Sequence, residues 1–338
     1  MLIVMRRDAP SEDVLRVQAI AKSYGFRTSN VSGLTKIGVA IIGDTSVIDA
    51  AVFKVLPSVD QVLTVTRPYS RTSREGHPED TLVDLGDGVV FGGDNFVIIA
   101  GPCAVESREQ IIEVAHKVKD AGAKCLRGGA YKPRTSPYAF QGLGEKGLEY
   151  LDAARKETGL KIVTEAMDPE ALPMVAEYAD MVQVGSRNMQ NYSLLTKVGG
   201  VNKPVLLKRG SSATITELLM SAEYVLAGGN ERVVLCERGV RNFSDHARNL
   251  LDLSIVPAVQ RLSHLPIIVD PSHATGDMNL VAPMAYAAVA AGASGLIVEV
   301  HPKPELAKCD AAQALRPDDF NRMVAKIREL AKVMGKRV

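Results

Sequence analysis

Eight short apolar runs, at residues 96–100, 124–127, 161–165, 181–184, 204–208, 232–236, 266–270 and 295–300, recur along this 338-residue chain, their starts 20 to 37 residues apart. Amphipathic or alanine-rich segments fall between or after them, at 110–121, 146–158, 171–178, 215–227, 245–259, 280–291 and 318–334. Unbroken apolar runs of this length suit strands buried on both faces, and parallel strands need helical crossovers. Eight alternations predict a (β/α)8 TIM barrel, helices outside and a packed core within. A doubly wound open sheet is the alternative. No G-x-G-x-x-G follows the first run, so a dinucleotide-binding fold has little support.

Residues 1–66 read as a small separate domain. A strand at 2–5 precedes a helix that opens at Ser11-Glu12-Asp13 and runs to about Tyr24. Strands at 27–31 and 36–42 flank a turn at Gly33; a helix at 45–56 and a strand at 59–65 follow. This βαββαβ order is the ferredoxin-like pattern. The segment has no His or Cys and no carboxylate cluster, so catalysis is not expected there. It is either a packing and oligomerisation module or a regulatory ligand-binding one. Residues 67–82 are polar and read as a linker. Residues 81–97 read as a hairpin around Gly-Asp-Gly and Gly-Gly turns, so 83–338 makes up the barrel with its leading hairpin.

Forty basic against 39 acidic residues leave a net charge of +1, which argues against a nucleic-acid protein. The four cysteines form no C-x-x-C pair, so neither a zinc ribbon nor a disulfide framework is indicated. The opening apolar run is too short for a signal peptide, and no run reaches membrane-spanning length. A cytoplasmic protein with reduced thiols, away from membranes, is the expectation.

A barrel places its reactive side chains at the C-terminal ends of its strands. There the chain offers six cations: Arg127, Lys132, Arg134, Arg187, Lys208 and Arg238. Lys is a point charge and Arg a planar fork, and together they suit phosphate and carboxylate oxygens. Gly128-Gly129 and Pro133 in the most basic loop supply close approach and fixed shape, which a merely solvated loop does not need. A second group is Cys103, His273, Glu299 and Asp310, from the first, seventh and eighth strands. In a closed ring these strands are neighbours, so a thiolate, an imidazole and two carboxylates make a divalent metal site. His301 is a candidate supporting group. Cys125 and Cys236 lie within strands and read as core. Cys309 abuts Asp310.

The motifs Gly101-Pro102-Cys103, Arg127-Gly128-Gly129-Ala130-Tyr131-Lys132-Pro133-Arg134-Thr135-Ser136, Gly185-Ser186-Arg187-Asn188, Lys208-Arg209-Gly210, Cys236-Glu237-Arg238-Gly239 and Asp270-Pro271-Ser272-His273, with Glu299 and Asp310, carry a family likeness. Over residues 70–335 the chain resembles 3-deoxy-D-arabino-heptulosonate 7-phosphate (DAHP) synthases of type I, β subgroup. The resemblance implies condensation of phosphoenolpyruvate with erythrose 4-phosphate, releasing phosphate and opening the shikimate pathway. It implies that Arg127, Lys132, Arg187, Lys208 and Arg238 hold phosphoenolpyruvate, that Arg134, Thr135 and Ser136 hold erythrose 4-phosphate, and that Ser186 also binds substrate. One divalent ion per subunit (manganese, iron, cobalt or zinc) on Cys103, His273, Glu299 and Asp310 would polarise the aldehyde. Lys132, Glu165 and His273 are the catalytic candidates, the first two for proton transfer. The sibling 3-deoxy-D-manno-octulosonate 8-phosphate synthase, acting on arabinose 5-phosphate, is the near alternative; Pro133-Arg134 and the small domain favour the four-carbon aldose. The small domain resembles one that mediates feedback inhibition by tyrosine or phenylalanine, and a homotetramer is implied. A binding protein on a catalytically dead barrel, and a Schiff-base aldolase using Lys208 or Lys132, are the other classes left open.

Overall fold

The computed structural model describes all residues except 33–36, 44, 65–68 and 133–135. It divides into two units, residues 1–70 and 71–338. In the first, strands β1 (Leu2–Met5), β2 (Arg27–Ser32), β3 (Ile37–Ile42) and β4 (Val59–Leu63) form an antiparallel sheet in the order β2-β3-β1-β4. The helix Ser11–Ser23 packs Val14, Val17 and Ala21 with Ile3, Met5, Val39 and Ile41. This is the ferredoxin-like arrangement. The expected helix at 45–56 is instead a 3-10 turn, Thr45–Val47, and a single helical turn, Ala51–Lys54. Asp49 Oδ1 accepts from the Ala51 amide at 2.8 Å, an Asx turn that breaks the run. The expected turn at Gly33 lies outside the described residues.

The second unit begins with the hairpin strands β5 (Val83–Asp84) and β6 (Val90–Phe91). Eight parallel strands follow: β7 (Val97–Gly101), β8 (Cys125–Arg127), β9 (Lys161–Ala166), β10 (Met181–Val184), β11 (Val205–Lys208), β12 (Val233–Glu237), β13 (Ile267–Val269) and β14 (Gly295–Glu299). They close into a barrel in which β14 pairs with β7, setting Glu299 opposite Gly101. Interior side chains such as Ile99, Val163, Leu206, Val234 and Ile297 form one core with Cys125 and Cys236. Val83, Val89 and Phe91 of the hairpin pack onto that core.

The outer helices start where short-range chemistry starts them. Ser107 Oγ accepts from Gln110 N at 3.1 Å to cap Arg108–Ala121, and Thr214 with Glu217 forms a capping box on Ile215–Ala227. Two stretches differ from the sequence-based expectation. Tyr192–Gly199 is a helix that the apolar spacing did not reveal. The helix expected at 245–259 begins only at Ile255. Ahead of it the chain doubles back, Val240 and Leu250 exchanging backbone hydrogen bonds of 2.9 Å. Among the described residues no helix is long and apolar enough to cross a membrane.

Residues 71–82, expected as a linker, are fastened to the barrel. The amides of Arg71 and Thr72 each donate to the Glu223 carboxylate at 2.9 Å, and Thr81 N donates to His264 O at 2.9 Å. The buried His264 ring completes the attachment. Its Nε2 donates to Arg71 O at 2.7 Å, so its Nδ1 accepts from Thr81 Oγ1 at 2.6 Å. Burial pulls the His264 pKa below its ordinary value; the Arg71 carbonyl opposes this, and His77 and Arg74 add to it. The unfolded chain therefore takes up this proton at a higher pH than the folded one. Stability is retained above about pH 6.5 and lost as the pH falls from there toward the folded pKa. Thermal melting should accordingly occur at lower temperature at pH 5.5 than at pH 7.5. His264→Gln should remove part of that difference; an unchanged pH profile in the variant would reject the assignment.

Candidate active site

The C-terminal ends of the barrel strands surround a cavity of about 640 Å3. Arg127, Lys132, Arg187, Lys208 and Arg238 line it, as do Glu165, Ser136, Ser186, His273 and Asp310. Arg134 and Thr135 lie outside the described residues. Cys103 and Glu299 sit beneath the wall, 4% and 0% exposed. Two glycines make this possible. Gly101 has φ +153°, and a Cβ there would stand 2.1 Å from Arg127 O, so only glycine lets the end of β7 approach β8 this closely. A Cβ on Gly129 would meet Lys132 Cδ at 2.6 Å and displace that side chain.

Cys103 Sγ and one oxygen each of Glu299 and Asp310 lie within 4.8 Å of one another. The thiol donates to Asp310 Oδ2 at 3.1 Å. His273 is not in that mutually close trio but adjoins it, with Nε2 3.2 Å from Glu299 Oε1. The donor set fits a divalent cation: soft sulfur, borderline nitrogen and hard oxygen converge, and two acids crowd one buried spot. A hydrogen bond with Cys309 and burial, with Glu299 adding, hold the Cys103 thiol well above its usual pKa, against Lys132 and Arg127. A bound cation would favour the thiolate instead. Burial opposes the charge on Glu299, but His273 and Arg127 outweigh it and keep the carboxylate below its ordinary range.

The cationic wall meets this cluster directly. Arg127 Nη1 donates to Glu299 Oε1 at 2.7 Å, and its buried Nε has no hydrogen-bond partner among the described residues. Lys132 Nζ is 3.1 Å from both the carbonyl oxygen and the sulfur of Cys103. Burial works against the Lys132 charge, yet the Cys103 sulfur raises its pKa, so the ammonium is retained. Burial also lowers Arg238 from its ordinary value. Glu165 accepts from Gln183 Nε2 at 3.1 Å, and a Cβ on Gly185 would stand 1.9 Å from Glu165 Oε1. Ser186 Oγ donates to Arg209 O at 2.7 Å. His301 turns away from the cluster: its Nδ1 accepts from Lys303 N at 3.1 Å, and its Nε2 faces Glu106 Oε2 at 3.6 Å. The Cys309 thiol is hydrogen-bonded to Cys103, and both cysteines are free.

Some residues of the site carry no obvious mark in the sequence. Asp270 accepts from His273 Nδ1 at 2.7 Å and from Lys208. Arg248 and Asn249 line the cavity from the stretch that reads as helix but folds as loop, Arg241 lines it from just ahead of that stretch, and Arg248 comes within 3.8 Å of Asp310. Arg209, beside Lys208, is buried and donates to Glu237 Oε2 at 2.9 Å and Asp252 Oδ2 at 3.0 Å. A polar residue at the end of an apolar strand is the one signal that could have picked out Asp270 and Glu237.

Fold and mouth together define a (β/α)8 barrel built to take polyanionic ligands beside a candidate metal centre. Residues 77–336 match the model of the DAHP synthetase I family, and residues 1–67 match the DAHP synthase ferredoxin-like domain. The chain belongs to the DAHP synthetase I family. A phospho-2-dehydro-3-deoxyheptonate aldolase of Thermotoga maritima is 51% identical over 338 residues, 100% of both chains. The crystal structure of a T. maritima phospho-2-dehydro-3-deoxyheptonate aldolase (DAHP synthase) matches with a TM-score of 0.93 and 50% identity, over 100% of this chain and 98% of that one. A 2-dehydro-3-deoxyphosphooctonate aldolase of Nitratidesulfovibrio vulgaris is 32% identical over 253 residues, 69% of this chain and 90% of its own.

The Arg209–Glu237 pair ties together the C-terminal ends of β11 and β12, where Lys208 and Arg238 stand. Arg209→Met would leave Glu237, 0% exposed, without its guanidinium. Removing one partner of a buried pair costs about 3–5 kcal/mol. Urea unfolding should show a loss of that order, and adding Glu237→Gln should recover part of it.

Proposed function

We propose that the barrel mouth joins phosphoenolpyruvate to erythrose 4-phosphate, giving DAHP and phosphate. The observation that carries this reading is the cation-lined cavity opening onto the Cys103–Glu299–Asp310 cluster in a chain of this family. Arg127, Lys132, Ser186, Arg187, Lys208 and Arg238 hold the phosphate and carboxylate of phosphoenolpyruvate; Arg134, Thr135 and Ser136 hold the phosphate end of the aldose. The unpartnered Arg127 Nε supports an anion at that position. Cys103, His273, Glu299 and Asp310 hold a divalent ion, of manganese, iron, cobalt or zinc. When bound, such an ion supplies Lewis-acid polarisation of the aldehyde oxygen.

The carbon–carbon bond forms between C3 of phosphoenolpyruvate and the aldehyde carbon. Water adds at C2, and the resulting tetrahedral carbon expels phosphate. In this reading the protonated Lys132 donates to the developing alkoxide and Glu165 takes the proton of the attacking water, both residues lining the cavity. With Lys132 kept charged, it acts as acid and anchor and not as a Schiff-base amine. Full-length likeness to the heptonate aldolase, small domain included, favours the tetrose over arabinose 5-phosphate.

Residues 1–66 are read as a regulatory domain binding tyrosine or phenylalanine, within a cytoplasmic homotetramer. The match to the ferredoxin-like DAHP synthase domain supports regulation, and the four free thiols suit a reducing compartment. Inhibition then requires the effector to favour a state in which the mouth is less accessible.

Phosphate release from phosphoenolpyruvate should be at least tenfold faster with erythrose 4-phosphate than with arabinose 5-phosphate. It should stop on chelation and fall at least about 100-fold in Cys103→Ser. Equal rates would overturn the substrate choice, and chelator-insensitive turnover the metal site. A barrel lacking residues 1–66 should keep its activity and lose inhibition by tyrosine and phenylalanine; inhibition that persists would reject the regulatory role.

A further inference from the structure

We propose that Asp270 links the metal-binding cluster to the anion pocket, because a single oxygen of its carboxylate, Oδ2, accepts hydrogen bonds from both His273 and Lys208. The inference rests on the functional reading above, and it assigns Asp270 as a positioning residue touching neither substrate.

Asp270 follows β13 and is 0% exposed. Its backbone amide is fixed by Glu237 O at 2.8 Å. Its Oδ1 accepts from the His273 amide at 2.9 Å, which starts the short helix Pro271–Thr275 and sets the position of the imidazole. Its Oδ2 then takes two donors. One is His273 Nδ1 at 2.7 Å, which fixes the ring orientation and leaves Nε2 on the side of Glu299. The other is the Lys208 ammonium, which lines the cavity. A buried carboxylate holding the second nitrogen of a ligating imidazole raises its basicity and fixes its aim. Here that carboxylate is not free to serve the imidazole alone.

Two donors on one oxygen compete. When His273 gives its Nε2 lone pair to a cation, its Nδ1–H becomes a stronger donor and draws more on Oδ2. Lys208 is then held less tightly and is freer to meet an anion in the cavity. Conversely, an anion that engages Lys208 leaves Oδ2 more fully to His273, which tightens its hold on the cation. The two binding events therefore assist each other, and linkage requires the same factor in both directions. Glu299 and Cys103 meet the pocket through Arg127 and Lys132, which touch them directly. His273 and Lys208 share Asp270, and this is the link.

The test uses full-length protein, cobalt(II) as the metal and phosphoenolpyruvate as the anion. Cobalt affinity is read by chelator competition, and phosphoenolpyruvate Kd by calorimetry with and without cobalt. Asp270→Asn keeps the helix cap, since an amide oxygen still accepts from the His273 amide, but removes the charge. It should weaken cobalt binding about 10–100-fold. Wild type should bind phosphoenolpyruvate at least about fivefold more tightly with cobalt present, and in Asp270→Asn that ratio should fall. Lys208→Met should bind cobalt at least as well as wild type. If Asp270→Asn does not fold, Lys208→Met with Asp270→Asn removes both buried charges together, and its cobalt affinity should show the same loss. Wild-type cobalt affinity in the Asp270 variants, or an unchanged ratio in Asp270→Asn, would overturn the link. A wild type whose cobalt spectrum lacks a thiolate band that Cys103→Ser abolishes would instead overturn the metal assignment, so the two failures are separable.

Discussion

A carboxylate with no exposure to water cannot stay charged unless its surroundings replace the solvent it lost. Glu299 is in that position, and the way it is satisfied organises the barrel mouth. Arg127 reaches it from β8, Gln313 from the turn after β14 at 2.7 Å, and His273 from the end of β13. Its own amide donates to Ser272 Oγ at 3.0 Å. Each partner is thereby drawn to one point, and Cys103 and Asp310 complete the surroundings. The alignment of Glu299 with Gly101 across the closing strand pair is what lets residues so far apart in the chain meet. An open sheet would leave the same residues on opposite edges.

Much of this was legible before any coordinates. Eight apolar runs sized for strands, separated by helix-length segments, left little room for another architecture, and strands such as Met181–Val184 fall where their composition puts them. Strand ends are also where function is readable, because charged residues have no packing reason to sit there. Arg127, Lys132, Lys208 and Arg238 announce themselves in this way. What the sequence hides is partnership. Asp270 reads as a strand terminus before a proline, and nothing local shows that it serves His273 and Lys208 at once. Arg248 stands in a stretch whose composition reads as helix, yet tertiary pairing of Val240 with Leu250 turns its start into a loop that faces the cavity. His301 is the opposite case: two residues from Glu299 in sequence, it points toward Glu106 because the strand has ended and alternation no longer governs direction.

The polar segment 71–82 shows a similar limit. Its composition reads as a tether, but polar residues bury well when each finds a partner, as Thr72 and His264 do. Buried cysteines divide on the same principle. Cys125 and Cys236 pack among aliphatic side chains, where burial pushes their thiols far from ionisation. Cys103 is no less hidden, but its neighbours are an ammonium and two acids. Environment, and not exposure, separates an inert thiol from one suited to chemistry.

The small hairpin of β5 and β6 carries a last implication. With Val83, Val89 and Phe91 wedged against the floor of the core, traffic through the barrel axis is blocked. Whatever enters the chamber has to exit by the doorway it used. On the proposed reaction, inorganic phosphate and a seven-carbon sugar phosphate would leave past the same arginines that line the way in.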